Sequence, residues 1–467
     1  MATAHAEPIF VKGNLLRHVS VMSFTSSIGL MAIFAVDLVD ILFISMLGQE
    51  ALAAAAGYAS TIMFFASAIN IGLSIAAGAL VAKAIGAHNE DDAREFATSV
   101  GVFSVIVGIL VPVLALPNID YLLGLIGATG PVAERAAEYL WIILPTTMIS
   151  GLSMTAVAVL RAHGDGTRAM YPAVLGGAAN AVLDPILIFS LGYGLTGAAV
   201  ATVAARVVTL IVAMYPAIIR YHAFSGLRTQ CIARDLKVAS QIAIPAVLGT
   251  VATPVGAAIV TREMSKYGAD AVAGMAVIGR LVPVVFSVVI ALSGAIGPII
   301  GQNYGAGLMG RVKETFYDGL KFVAIYVVVM SILLFVLRDM IADVFGAAGL
   351  TRSLIFLFCG PLALASFFNG AIFVASASFN NLGHPGYSTW VNWGRNTLGT
   401  WPFVILGATL WGAHGVLIGQ AVGGVFFAGL AVWLGARVIA NPNENLIVPH
   451  FKWYQQRMHI ACNRCHR

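Results

Sequence analysis

The sequence predicts an all-α integral membrane protein: twelve transmembrane helices in two parallel six-helix repeats around a central cavity. Of the 467 residues, 59% are hydrophobic and only 10% are charged, whereas soluble domains carry about a quarter charged residues. The apolar residues are gathered in stretches of the ~20 residues that an α-helix needs to cross a bilayer. Glycines and prolines interrupt these stretches and do not punctuate short alternating strands, which favours helices over a transmembrane barrel.

Twelve such stretches follow one another along the chain. They lie at 18–45, 51–82, 95–117, 133–160, 169–192, 194–220, 238–265, 272–301, 315–337, 352–379, 386–410 and 413–438. The polar start of the chain lacks the pattern of a signal peptide, so we expect the first helix to direct insertion. The predicted outer loops hold little basic charge beyond Arg135, Lys266, Arg338 and Arg352. The positive-inside rule therefore predicts a multi-pass protein of the cell (inner) membrane with both termini in the cytoplasm.

An internal repeat with a period of about 220 residues predicts the two halves. Matched positions are Gly48 and Gly268, Gly164 and Gly383, and Gly194 and Gly412. Small residues at matched places are what close helix packing in lipid requires. Each half holds an even number of spans, so we expect parallel repeats with a cavity between them near the membrane midplane.

The repeat also predicts the domain boundaries. The first six-helix lobe is expected at 1–220 and the second at 238–440, joined by a basic, helix-poor cytoplasmic linker at 221–237. A cytoplasmic tail at 441–467 follows, and it contains the run CNRCH. The four cysteines, Cys231, Cys359, Cys462 and Cys465, do not form the pattern of an extracellular disulfide framework.

Acidic residues inside the predicted spans are the strongest candidates for function, because charge in a membrane is costly. Asp37 and Asp40 stand three residues apart, and Asn180 and Asp184 stand four apart, so each pair shares a helix face. The second half does not repeat them. The matched positions hold Ala257, Val260, Gly399 and Phe403. The packing glycines are thus duplicated and the carboxylates are not, which favours ion coupling confined to the first half.

The same residues carry a family resemblance. The runs VDLVDILFISMLGQEALAA (36–54), LRAHGDGTR (160–168) and NAVLDPILIFSLGYGLTGAAVAT (180–202) resemble those of the multidrug and toxic compound extrusion transporters. The resemblance implies efflux of drugs or toxins in exchange for H⁺ or Na⁺. It also implies that Asp40, Asn180, Asp184 and Thr202 match the cation-site positions, while Asp37 stands where many relatives have Asn.

The sequence departs from that family pattern at two places. The first helix has no early proline, and the 352–379 stretch has no carboxylate, so a proline bend and a second sodium site are not expected. The residues predicted to line a substrate cavity are Tyr58, Arg206, Arg280, Asn369 and Arg395. Near the outer end of the seventh stretch, Glu263 is expected to form a salt bridge with a neighbouring basic residue.

We therefore expect a secondary active antiporter for amphipathic organic cations, acting as a monomer among membrane lipids. We expect no cofactor beyond the coupling ion, no metal beyond a Na⁺ at the first-half site, and no nucleic-acid partner, because the basic residues are spread over loops. No GxxxxGK nucleotide loop is present, and nothing predicts an enzyme. A lipid-linked oligosaccharide flippase is the main alternative. A major-facilitator carrier and a receptor or channel are weaker ones.

Overall fold

The computed structural model describes residues 8–46, 50–227 and 229–442, and within these ranges the ordered structure is helical with no strand. The helices are α1 (Leu15–Met46), α2 (Glu50–Gly86), α3 (Glu90–Ala115), α4 (Ile119–Leu125), α5 (Gly130–Ile143), α6 (Thr147–Ala162), α7 (Gly166–Pro185), α8 (Gly194–Ile219), α9 (Thr229–Ser265), α10 (Ala269–Val285), α11 (Ser287–Gly305), α12 (Met309–Val344), α13 (Gly349–Cys359), α14 (Ser366–Leu382), α15 (Pro385–Asn396) and α16 (Trp401–Ala440). The CNRCH tail lies outside the described residues.

Several predicted spans consist of two helices in sequence. The stretch predicted at 133–160 is α5 and α6, separated by a short 3₁₀ turn at Leu144–Thr146 that contains Pro145. The stretch at 272–301 is α10 and α11, which are bent by 47° at their junction. Proline lacks the backbone donor that a continuous helix needs, which accounts for the first of these breaks. By length and composition alone, ten segments of the described chain could span a membrane, or eleven with the bent pair.

The twelfth span is hidden in the 56-residue segment Pro385–Ala440, because α16 doubles back on itself. Its helical backbone is interrupted at Trp411 and at Gly412, whose φ is 58°. The arms before and after this break are in close contact, since a Cβ placed on Gly423 would lie 3.1 Å from the Cα of Gly399 and closer to its carbonyl group. α16 therefore forms a hairpin: its first arm continues the span that α15 begins, and its second arm is the next span. The predicted twelve-helix all-α membrane fold is confirmed.

The internal repeat is visible in the backbone. Gly194 and Gly412, which the repeat matches, both have a left-handed φ, at 54° and 58°. Gly164 and Gly383 are matched as well, with φ of 79° and 90°. Only glycine adopts such conformations without strain. These glycines are thus duplicated because both halves turn the chain at the same places.

Backbone contacts divide the described chain into two compact units. Unit 1 takes the described residues up to Ile9 and Ile28–Ile244, and unit 2 takes Phe10–Ser27 and Pro245 onward. The division falls inside α1 and inside α9, where it coincides with a proline within the helix, Pro245. The lobes predicted at 1–220 and 238–440 remain a prediction.

The start of α9 differs from the sequence expectation. The helix begins at Thr229, so the second part of the segment predicted as helix-poor linker is helical. Its polar turn is held in unit 1 by buried polar contacts. Arg234 forms salt bridges with Glu95 of α3 and with Asp235, and Ser99 donates a 2.7 Å hydrogen bond to Asp235. The prediction placed the start of this helix too late, because a search for apolar stretches does not detect a helical turn made of charged residues.

Candidate functional site

The candidate site lies in unit 1, where α7 ends. Asn180 and Asp184 lie one helical turn apart on α7 and are 4% and 0% exposed. Pro185 closes the α-helix, and the chain continues as a π-helical turn over Ile186–Ser190. π-Helical turns are rare and are frequently found at functional sites.

Asp40 of α1 meets Asp184 of α7 at this point. Their carboxyl groups lie within hydrogen-bonding reach of each other, and Asp37 is close enough to act on Asp40 electrostatically. Asp37 is exposed and Asp40 is half-buried. The structure therefore brings together two carboxylates that are far apart in the sequence, as the candidate cation site requires.

Several buried polar atoms of this cluster have no hydrogen-bond partner among the described residues. They are Oδ1 of Asp40, both carboxylate oxygens of Asp184 and Nδ2 of Asn180. Buried polar groups are normally hydrogen-bonded, and leaving one unpaired costs ~1–3 kcal/mol, or more if it is charged. Two carboxylates in contact cannot both stay ionised without a positive charge between them. The cluster can therefore bind a proton or a small cation.

Two further side chains, Tyr139 and Thr202, are linked to the carboxylate pair through Tyr139. The Thr202 hydroxyl donates a 3.0 Å hydrogen bond to the Ala198 carbonyl within α8. Tyr139 of α5 places its side chain within hydrogen-bonding reach of Thr202 and in electrostatic range of Asp40 and Asp184. Nothing in the sequence singles out Tyr139, since one tyrosine within an apolar stretch is most often a packing residue. The one sequence feature that could have indicated a role for Tyr139 is that its polar hydroxyl lies within a predicted span.

Arg206 of α8 is anchored at the break between α5 and α6. Its Nη1 donates a 2.6 Å hydrogen bond to the Thr146 hydroxyl and a 3.2 Å bond to the Ile143 carbonyl. Among the described residues no ion pair joins Arg206 to Asp40 or Asp184. The guanidinium therefore donates its hydrogen bonds to the broken end of α5, and it does not neutralise the carboxylate pair.

Of the other cavity candidates, Tyr58 belongs to unit 1 and the rest belong to unit 2. The Tyr58 hydroxyl donates a 3.4 Å hydrogen bond to the Gly127 carbonyl within unit 1. Arg280, Asn369 and Arg395 belong to unit 2, where Arg280 is exposed and the other two are half-buried. Their role in substrate binding remains a prediction.

The sequence also led to predictions for Glu263 and for the four cysteines. Glu263 pairs with Lys266 at 2.6 Å, which confirms the predicted salt bridge. Cys231 and Cys359 are buried. Cys462 and Cys465 lie outside the described residues.

A chain of apolar spans that buries an unpaired carboxylate cluster in one of two repeated halves has the architecture of a polytopic membrane transporter. The MatE family model matches the chain twice, over residues 26–186 and 245–406. The chain therefore belongs to the MatE family, which confirms the resemblance drawn from the motifs, and it is a membrane transporter and not an enzyme. The double match also confirms the duplication.

Individual relatives and solved structures agree with this assignment. A FAD transporter of Shewanella oneidensis is 27% identical over 436 residues, covering 90% of this chain and 94% of its own. The probable multidrug resistance protein YoeA of Bacillus subtilis is 24% identical over 310 residues, covering 64% of this chain and 66% of its own. An outward-facing multidrug resistance MATE transporter of the MOP superfamily has the same fold, with a TM-score of 0.85, 22% identity and coverage of 94% and 99%.

Proposed function

We propose that the protein is a secondary active antiporter that exports amphipathic organic cations in exchange for H⁺ or Na⁺. It acts as a monomer in the cell (inner) membrane, with both termini in the cytoplasm. The observation that carries the proposal is the contact between Asp40 and Asp184, whose buried oxygens lack hydrogen-bond donors among the described residues. Multidrug resistance and export proteins among the relatives support the substrate class.

The carboxylate pair supports exchange through competition for charge. A proton between the two carboxyl groups satisfies one as donor and the other as acceptor. A Na⁺ would instead use their oxygens together with the side-chain oxygens of Asn180 and Thr202. An organic cation in the site removes the need for either ion. A ligand shifts a conformational equilibrium only through its different affinity for the two states, and we propose that the charge state of this pair supplies that difference.

Reconstituted protein tests the proposal. Proteoliposomes holding the full chain are loaded with ethidium, and export is driven separately by a pH gradient and by a sodium gradient. Asp184→Asn keeps the shape of the side chain but removes its charge, and we expect it to abolish ion-driven export. Asp120→Asn is the matched control, because Asp120 is an exposed carboxylate in α4 of the same unit. Undiminished export by Asp184→Asn would refute the proposed coupling site.

A second candidate function is export of a flavin nucleotide, which the Shewanella relative supports by similarity over nearly its full length. FAD carries a negatively charged pyrophosphate, which requires cationic partners such as arginine. Arg206 in unit 1 and Arg280 and Arg395 in unit 2 are the candidates. The same proteoliposomes loaded with FAD distinguish the two functions. FAD export that survives Asp184→Asn but is lost in Arg395→Gln would favour the flavin function.

A further inference from the structure

A groove of about 450 Å³ on the surface of unit 1 has no part in the proposed ion site. It is lined by the first turns of α7 and the last turns of α8, with Arg168 and Arg220 at one end and Tyr171 and Tyr215 beside them. We propose that this groove binds one anionic phospholipid of the cytoplasmic leaflet, with its phosphate between the two arginines.

The apolar wall of the groove suits an acyl chain. Ile211, Tyr215 and Ile219 recur every four residues along one face of α8, and they are 60%, 68% and 58% exposed. On a membrane-spanning helix such a face contacts lipid, because there is no water in the bilayer core to meet it. The stripe runs along the helix and ends at Arg220, which follows the last residue of α8. A lipid tail lying along it would therefore bring its headgroup to the basic end.

The basic end is held in place by its neighbours. Arg168 forms a 2.6 Å salt bridge with Asp165, and the Tyr221 hydroxyl donates a 2.7 Å hydrogen bond to the same carboxylate. Arg220 lies over the Tyr221 ring at 5.9 Å. Two arginines and one aspartate leave one positive charge at the mouth of the groove, which matches the single negative charge of a phosphodiester.

The orientation predicted by the positive-inside rule places this end in the cytoplasm. Anionic lipids attract basic residues near the membrane surface, and basic pockets between transmembrane helices on the cytoplasmic side bind such headgroups. A neutral lipid could occupy the apolar stripe equally well. A preference for anionic over neutral lipids is therefore the property that distinguishes a specific lipid-binding site from ordinary lipid contact.

Lipid retention in native mass spectrometry tests this proposal. The full chain is equilibrated with equal amounts of phosphatidylglycerol and phosphatidylcholine, and the ratio of retained lipids is measured. We expect the wild type to be enriched in phosphatidylglycerol. Each arginine near an anionic surface contributes about five-fold in affinity, so Arg220→Gln should lower the ratio about five-fold and Arg168→Gln/Arg220→Gln further.

The matched control is Arg437→Gln, because Arg437 also lies over an aromatic ring, Trp433, at 5.6 Å near the end of α16. Because Arg437 does not line the groove, its loss should lower the ratio less than Arg220→Gln does. An equal fall in this control, or no enrichment in the wild type, would overturn the proposal. So would displacement of the retained lipid by inorganic phosphate, which would assign the arginines to free phosphate.

A variant that removes a negative charge from the mouth of the groove tests the proposal if the arginine variants fold poorly. Asp165 caps α7 by accepting a hydrogen bond from the Arg168 amide, and asparagine caps equally well. Asp165→Asn therefore keeps the cap but frees Arg168 from its partner. We expect it to raise phosphatidylglycerol retention, and a fall in retention would contradict the proposal.

Discussion

Gly423→Ala tests the hairpin in α16, on which the twelve-span fold depends. A Cβ at this position would lie 3.1 Å from the Gly399 Cα and nearer still to the Gly399 carbonyl carbon and oxygen. These are backbone atoms, which cannot rotate away, so the two arms must separate. Overpacking costs ~1–3 kcal/mol and occasionally more, and we expect the upper end here.

The neighbouring glycine supplies the control. A Cβ on Gly424 would meet no atom within 4 Å, so Gly424→Ala should only gain the helix propensity of alanine, up to ~1 kcal/mol. The two variants should therefore differ by about 3 kcal/mol in unfolding free energy. The assay is thermal unfolding of purified protein with a thiol-reactive dye that reports exposure of the buried Cys231 and Cys359, in a Cys462→Ser/Cys465→Ser background. Equal stability of both variants would refute the hairpin.

Three further predictions concern unit 1. Arg234→Ala should lower the unfolding free energy by ~3–5 kcal/mol, because it leaves buried carboxylates without their partner, and the dye assay measures this. Thr146→Val should lower it by ~1.5–3 kcal/mol through loss of the hydrogen bond from Arg206, whereas Thr146→Ser should not. Burial lowers the pKa of His163, so only the unfolded chain takes up its proton below about pH 6.5. Stability should fall between pH 7 and 5, and less steeply in His163→Phe.

Each of these has a contrary outcome. A stable Arg234→Ala protein would mean that the polar turn of α9 does not depend on its ion pairs. Equal destabilisation by the valine and serine variants at Thr146 would show that its hydroxyl is not the group that matters. A pH profile that His163→Phe leaves unchanged would assign the acid sensitivity to another residue.

The spans and the repeat could be predicted because both depend on local composition. A run of apolar residues is a span wherever it folds, and Gly194 and Gly412 turn the chain through their own backbone freedom. The hairpin in α16 was anticipated as two stretches for the same reason. The close contact between Gly399 and Gly423 could not be predicted, because it depends on how the two arms pack against each other after folding.

The candidate site was only partly accessible from the sequence. Asp40, Asn180 and Asp184 stand out because charge and amides are costly in a membrane. Tyr139 does not, because its position in the site depends on how α5 packs against α8. The structure also explains why the second half has no amide at the position that matches Asn180. That position is Gly399, which lies in close contact with Gly423 in the α16 hairpin.

The most direct test of the central claim, that one carboxylate pair in unit 1 exchanges an ion for the substrate, is ion release on substrate binding. Ethidium is added to purified protein in weak buffer, and a pH-sensitive dye and radiolabelled sodium report the ion displaced. We predict that the wild type releases H⁺ or Na⁺ and that Asp40→Asn and Asp184→Asn release neither. Release from both variants equal to that of the wild type would contradict the account.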